Sequence, residues 1–282
     1  MNKVSIITHT GCDISPDEAR DISVRMVCDI VVLDNHTYRN LEELSPKQFY
    51  DLSVSASDIS TSHFRTGEMI DAMNEASENS EELLCLSITS KMSGCYSASI
   101  VASEIFSEQN KDTKISVYDT SQCSHGMAIM VRKAAEMAEK GADTTEIISA
   151  LDNLKDRIGI YFILDSLKYA KKGGRVGAVK MLTADILGIK PLMTFRNGEV
   201  KDIGVSRSTQ EGINAVARRI REEADPSCEI TVFHGDAPEK AEALASLIKA
   251  DFPEASIRFE YVGPVIGVFA GPGTVGAAFT KK

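Results

Sequence analysis

The sequence contains no tryptophan, and aromatic residues make up only 6% of its 282 positions. It therefore offers little surface on which nucleic-acid bases stack. Nor is there a basic excess: 31 Lys and Arg stand against 41 Asp and Glu, a formal net charge of -10. A nucleic-acid binder needs cations to neutralise phosphates, so that class is excluded and a soluble chain is expected. No run approaches the ~20 apolar residues that cross a bilayer. The apolar stretch at Val4–Ile7 is too short for a signal segment and reads as a strand. Cys12, Cys28, Cys85, Cys95, Cys123 and Cys228 are scattered without a C-x-x-C pair. Free thiols, no metal site and a reducing, cytoplasmic setting are the expectation. No low-complexity linker and no internal repeat interrupts the chain.

What is present is ordinary globular material, 43% hydrophobic and 26% charged, long enough to bury a core in one large or two ordinary domains. In the first half, short apolar runs alternate with helix-period segments. Val4–Thr8, Val27–Leu33, Leu83–Ile88 and Ile115–Asp119 read as strands. Ser15-Pro16-Asp17-Glu18 and Ser45-Pro46-Lys47-Gln48 open helices, and further helices are read at Tyr96–Glu108 and Gly126–Lys140. This βαβ pattern predicts a parallel sheet. The second half differs, with Asn197-Gly198 turning a hairpin between Lys190–Thr194 and Val200–Val205. A helix from Ser208, strands at Ile158–Leu164, Glu229–His234, Ser256–Val262 and Val275–Thr280, and a helix from Pro238 complete it. The expected fold is α/β: an N-terminal parallel-sheet α/β domain over 1–157 and a C-terminal α+β domain over 158–282, with a ligand site between them.

In an open parallel sheet, ligands bind beyond the carboxyl ends of the strands. There the sequence places Thr8-His9-Thr10-Gly11, Ser87–Gly94 and Asp119-Thr120-Ser121-Gln122, with Thr61-Ser62 ahead of a helix near Gly67. These loops are rich in hydroxyls and poor in charge, a lining that suits a carboxylate or a phosphate. At Ser93-Gly94 the glycine tolerates a tight backbone and the following helix offers free N–H groups. Ser93 reads equally as a cap of that helix. As a nucleophile it would need a base from His9 or His125, and the segment lacks the Gly-x-Ser-x-Gly elbow. His36, His63 and His234 have no metal-ligand spacing. Lys171-Lys172-Gly173-Gly174-Arg175-Val176 is either a phosphate contact or a surface loop before a helix at Ala178–Leu187. The stretch Gly263–Gly273, with glycines four apart and prolines beside two of them, reads as an unusual rigid loop forming an apolar wall through Ile266 and Phe269.

Taken in series, Thr61-Ser62 with Gly67, Ser93-Gly94 before Tyr96-Ser97-Ala98, Lys172–Arg175, Ile189-Lys190-Pro191 and Gly263–Gly273 resemble the DegV family of bacterial fatty-acid-binding proteins. The resemblance spans essentially the whole chain. It implies a non-catalytic binder that encloses a long-chain fatty acid and needs no cofactor beyond that ligand. Hydroxyls matching Thr61, Ser62 and Ser93 would hold the carboxylate, and Gly94, Thr10 and Thr120 join the expected site. The resemblance also implies presentation of the ligand to a fatty-acid kinase, with Arg175 in a region for partner or phosphate contact. This chain departs from the family at His9-Thr10-Gly11, where Asp-Ser-Thr is usual, and at His63-Phe64, where Gln-Pro is usual. It also has Phe269 where the family commonly carries a head-group histidine, a change that bears on phosphoryl handover more than on acyl binding. Two other readings follow from the residues alone: a serine hydrolase or acyltransferase using Ser93, and a binder of a phosphorylated metabolite.

Overall fold

A computed structural model describes residues 3–174 and 188–282. From the N-terminus, β1 (Val4–His9) ends in a 3-10 turn (Thr10–Cys12), and α1 (Pro16–Asp21) starts where Ser15 accepts the Glu18 N–H. Next come β2 (Val24–Val27), β3 (Ile30–Leu33), β4 (His36–Arg39), α2 (Pro46–Ser53), β5 (Ile59–Ser62) and α3 (Thr66–Ser77). The N-terminal part is completed by β6 (Glu82–Ser87), α4 (Cys95–Gln109), β7 (Lys114–Asp119), α5 (Ser124–Glu139) and α6 (Thr144–Lys155). Strands β2, β1, β6 and β7 lie in that order in a wholly parallel sheet. Leu83 through Ser87 are all buried, as expected of a strand covered on both faces. β1 leads to β2 on one side and β6 leads to β7 on the other, so the order reverses between β1 and β6. A crevice opens at that switch point, beyond the carboxyl ends of the two strands.

The single strand expected over Val27–Leu33 is two strands in two sheets. β2 closes the parallel sheet, whereas β3 is the centre of a small antiparallel sheet, β4-β3-β5. The break falls at Cys28-Asp29, where the Asp29 side chain turns inward to meet His9. A second correction concerns Thr61-Ser62, which are the last residues of β5 rather than a loop.

The C-terminal part runs through β8 (Ile158–Ile163), α7 (Leu167–Gly173), β9 (Lys190–Arg196), β10 (Glu199–Ser206) and α8 (Thr209–Glu223). It continues with β11 (Ile230–His234), α9 (Pro238–Asp251), β12 (Ile257–Tyr261), α10 (Pro264–Ala270) and β13 (Val275–Thr280). Its sheet has the order β10-β9-β8-β13-β11-β12, antiparallel except for the β11–β12 pair. Asn197 (φ 52°) and Gly198 (φ 76°) make the expected hairpin turn, both residues left-handed as a type I′ turn requires. The fold is thus mixed α/β, with a parallel-sheet N-terminal part and a mixed-sheet C-terminal part. The largest apolar core is common to both, since Val131 and Met127 of α5 share it with Ile158, Ile160, Met193 and Phe195.

The stretch read as a rigid loop, Gly263–Gly273, contains the helix α10. Pro264 occupies its first turn and Gly271 (φ 74°) ends it, the usual asymmetry of helix termini. Glycines four apart then form one helical stripe. A methyl group on Gly267 would fall 2.7 Å from Phe49 Cε1, and one on Gly263 would fall 2.4 Å from Asp13 Oδ1. Small residues let α10 lie directly on α2 and on the turn after β1. Tyr50 fastens it further, its hydroxyl donating to Val262 O at 3.1 Å.

Asp13 sits in this junction, 5% exposed, with Oδ2 accepting from Ser124 Oγ at 2.5 Å. Burial pushes its pKa up to about 7 despite the opposing hydrogen bonds from Ser124 and the Gly263 amide. A carboxyl raised in the folded state favours folding below its unfolded pKa, near 4, and that contribution disappears as pH rises through about 7. For Asp13→Asn the contribution is absent, so the wild-type-minus-variant difference in Tm should shrink by roughly 5–10 °C from pH 4 to pH 8. Thermal melts of both proteins across that range check it; parallel curves would remove Asp13 from the account.

Candidate functional site

At the switch point, β1 ends on His9, and the β6–α4 connection runs alongside it. Asp29 Oδ2 lies 2.7 Å from His9 Nδ1 and 3.2 Å from Thr10 Oγ1, and the Asp29 N–H donates to the same Thr10 oxygen at 2.9 Å. The Cys95 thiol, at the first position of α4, donates to Asp29 Oδ1 at 3.4 Å. On the other side of His9, the Ile88 N–H donates to Nε2 at 3.1 Å. The Gly11 N–H also approaches His9 Nδ1, at 3.3 Å, so each ring nitrogen faces a backbone N–H while Nδ1 lies against the Asp29 carboxylate.

The electrostatics follow from burial and these contacts. Burial alone would raise the Asp29 pKa, but His9 and the hydrogen bonds from His9, Cys95 and Thr10 hold it below the ordinary value. Burial raises the Cys95 pKa, against a smaller lowering by His9, so the thiol keeps its proton and acts as a donor. For His9, burial disfavours charge, but the Asp29 carboxylate and then Cys95 outweigh it and hold the pKa well above the ordinary histidine value. His9, Asp29 and Cys95 offer N, O and S atoms all within 4.8 Å of one another. A metal on Nδ1 would move the ring proton to Nε2, against the Ile88 N–H. The trio is built for hydrogen bonding rather than coordination.

Ser93 stands over this knot. Its Oγ donates to Cys95 Sγ at 3.0 Å and accepts the Cys95 N–H at 3.2 Å. The N-cap position of α4 belongs to Gly94, and no side-chain hydrogen bond caps the helix there. The amino end of a 15-residue helix thus opens beside Ser93, with the electropositive field that favours anions. Gly94 has an ordinary φ of -74°, so its absent side chain provides space and no special backbone.

Thr61, Ser62, Ser93, Gly94, Ile266 and Phe269 line one cleft of about 200 Å³, together with His9, Asp29, His63 and Cys95. Thr10 and Thr120 are not among its lining residues. Thr10 is consumed by Asp29, and Thr120 is fully buried with its hydroxyl donating to Ser87 O at 2.8 Å. Arg175 lies outside the described residues, as does the expected helix Ala178–Leu187. Lys172 and Gly173 belong to the carboxyl end of α7, where Lys172 Nζ donates to Ser57 O at 2.8 Å. A helix carboxyl end repels phosphate, which argues against the phosphorylated-metabolite reading. No histidine pairs with Ser93, since His9 bonds Asp29 and Ile88, and His63 Nδ1 bonds Phe64 O at 2.7 Å. That geometry argues against a serine nucleophile.

A second cavity of about 80 Å³ lies deeper, walled by Ile160, Phe162, Leu164, Phe195, Val200, Phe233 and their neighbours. Met92, Ile266 and Phe269 belong to the walls of both spaces. The Phe269 ring rests on Gly173, where a methyl group would fall 2.1 Å from its Cδ1. Asp29 and Cys95 were missed in the sequence as site residues. The signal for Asp29 was an acidic residue inside an apolar run; Cys95 left no signal beyond its place after Ser93-Gly94.

Compared with known proteins, the model of the DegV family of uncharacterised proteins matches residues 3–282. A DegV domain-containing protein of Clostridium perfringens is 29% identical, over 99% of this chain and 98% of that one. Among solved structures, a fatty-acid-binding DegV family protein from Thermus thermophilus superposes with a TM-score of 0.90 at 24% identity. The match covers 99% of this chain and all of that one, 100%. A stearic acid-binding protein from Eubacterium ventriosum gives 0.89 at 24%, covering 100% of this chain and 99% of its own.

Asp29→Ala deprives the Cys95, Thr10 and His9 donors of their shared acceptor at a buried position. The expected cost is about 3 kcal/mol of folding stability, read as a lowered midpoint in urea with an unchanged slope. A midpoint within error of the wild type would mean that the knot does not hold the site together.

Proposed function

Since the chain belongs to the DegV family, we propose that it binds a long-chain fatty acid across the two adjoining cavities. The carboxylate lies in the cleft on the Thr61, Ser62 and Ser93 hydroxyls and the amino end of α4. The acyl chain passes Met92, Ile266 and Phe269 into the apolar cavity. One observation carries the reading: a hydroxyl-lined cleft and a hydrocarbon-lined cavity share a three-residue wall. In this scheme residues 1–157 supply the head-group contacts and 158–282 cover the chain.

The balance of forces supports that division. Among the described residues no Lys or Arg lines the cleft, and the head group rests on hydroxyls and the amino end of α4. Burying methylenes contributes about 0.8 kcal/mol each, on the order of 10 kcal/mol for a long chain before association costs. At about 80 Å³ the inner cavity is smaller than the several hundred Å³ usual for such ligands. Met92, Ile266 and Phe269 therefore move aside on binding. Six free cysteines fit a protein that acts in the reducing cytoplasm. Presentation to a fatty-acid kinase is the further step we infer from the family resemblance, with Phe269 in place of the family's histidine limiting it.

Denaturing extraction of purified protein followed by mass spectrometry should release a fatty acid. Ser93→Ala and Thr61→Val should each weaken fatty-acid binding about tenfold, measured by displacement of a fluorescent analogue. Protein that carries no lipid and takes up none would end the proposal. Phe269→His should raise acyl-phosphate formation when a fatty-acid kinase and ATP are added; an unchanged rate would remove Phe269 as the limiting feature.

A further inference from the structure

The mixed sheet of the C-terminal part has two edges, β10 and β12. β10 carries a bulge between Asp202 and Gly204, one of the devices that keep a sheet edge from pairing further. β12 runs in unbroken register beside β11 and has neither lysine, proline nor bulge. Its central residue, Phe259, is 52% exposed. No strand among the described residues pairs with its outer side.

In a strand the N–H and C=O of one residue point to the same side, and successive residues alternate. The Ile230 N–H donates to Ser256 O at 2.9 Å and the Val262 N–H to His234 O at 2.8 Å. Ser256, Arg258, Glu260 and Val262 therefore direct their backbone groups to β11, and Ile257, Phe259 and Tyr261 direct theirs outward. His125 Nε2, 3.0 Å from Tyr261 O, already meets one of these outward carbonyls. The outward groups of Ile257 and Phe259 meet no partner among the described residues. Among the side chains, Arg258 Nε donates to Glu229 Oε1 at 2.8 Å and Nη1 to Glu18 Oε1 at 3.4 Å. Glu260 Oε1 lies 3.8 Å from Arg258 Nη1 and 3.9 Å from Arg132 Nη2, beyond hydrogen-bond reach. Its carboxylate has room for another donor.

From Ile257 to Tyr261 the strand reads apolar, cation, aromatic, anion, aromatic. Turned end for end, it offers an anion where the original has a cation. That self-complementarity selects a second copy of this chain over an unrelated strand. We propose that β12 pairs antiparallel with β12 of a second copy, about a two-fold axis at Phe259, joining the two six-stranded sheets into one. Phe259 and the partner's Phe259 exchange two N–H···O=C bonds through their outward groups. Arg258 then faces the partner's Glu260, and Glu260 the partner's Arg258, at the closer, non-hydrogen-bonded positions. The two phenyl rings lie side by side and withdraw exposed apolar surface from water. The interface is isologous, and it does not depend on what the cavities hold.

Sedimentation velocity between about 1 and 100 µM at physiological ionic strength should show a monomer–dimer equilibrium. Phe259→Lys, which sets two ammonium groups opposite each other, should leave a monomer with Tm within about 3 °C of the wild type. Arg258→Glu and Glu260→Arg should each be monomeric alone, because like charges then face one another in both pairs. An equimolar mixture of these two variants sets opposite charges in both pairs and should restore the dimer. In the wild type, hydrogen exchange at the Phe259 amide should slow about tenfold or more as the dimer fills. Should either charge variant fail to fold, Phe259→Lys and the exchange rate decide. A chain that is monomeric throughout the range, whether or not it captures a foreign strand at β12, would overturn the proposal. So would a dimer that survives Phe259→Lys, a mixture of folded charge variants that stays monomeric, or a Phe259 amide whose exchange ignores concentration.

Discussion

Asp29 carries the charge that is hardest to place in this fold. It is 1% exposed, and its only ion-pair partner among the described residues is His9. A carboxylate taken out of water costs several kcal/mol unless donors replace its solvent. The donors come from separate segments: His9 and Thr10 at the end of β1, and Cys95 at the start of α4. Meeting them requires the chain to leave the parallel sheet after β2 and begin β3 elsewhere. β3 then pairs with β5 in the register Ile30 to Ser62 and Val31 to Thr61. Thr61 and Ser62 are thereby carried to the cleft that Ser93 borders. One electrostatic requirement thus sets the positions of hydroxyls more than 30 residues apart in the sequence.

The same requirement explains what could be read from the chain and what could not. Strands with clean apolar runs, helices opened by Ser-Pro signals and the Asn197-Gly198 hairpin were legible because local chemistry alone specifies them. Val27–Leu33 looks like one strand in sequence because an apolar run hides a break whose cause, His9, lies in another segment. Gly263–Gly273 looks like a loop in sequence because glycine lowers helix propensity, and the contacts that overrule it, Phe49, Tyr50 and Asp13, are remote in sequence. The hydroxyls of Ser93, Thr61 and Ser62 could be named in advance, but hydroxyl content cannot tell a residue that lines a cleft from one that holds a neighbour. Thr10 and Thr120 are of the second kind.

α10 links the two halves of the proposed ligand path. One side of the helix must be free of side chains to rest on α2, which its glycines provide; Val265 and Val268 add apolar packing against Phe49 and Tyr50. Ile266 and Phe269 are left to border the cleft and the inner cavity. The ring of Phe269 lies over Gly173 at the end of α7, so whatever moves α7 or α10 also alters the wall between polar and apolar space. A histidine there would bring a proton donor and acceptor to the head group. A phenyl ring brings only hydrophobic surface.

In the proposed site, affinity comes chiefly from the acyl chain. Methylene burial supplies affinity in proportion to area and distinguishes chains only weakly, because one methylene more or less changes the free energy by about 0.8 kcal/mol. In the proposed site the head group adds little discrimination, since every fatty acid has the same carboxylate.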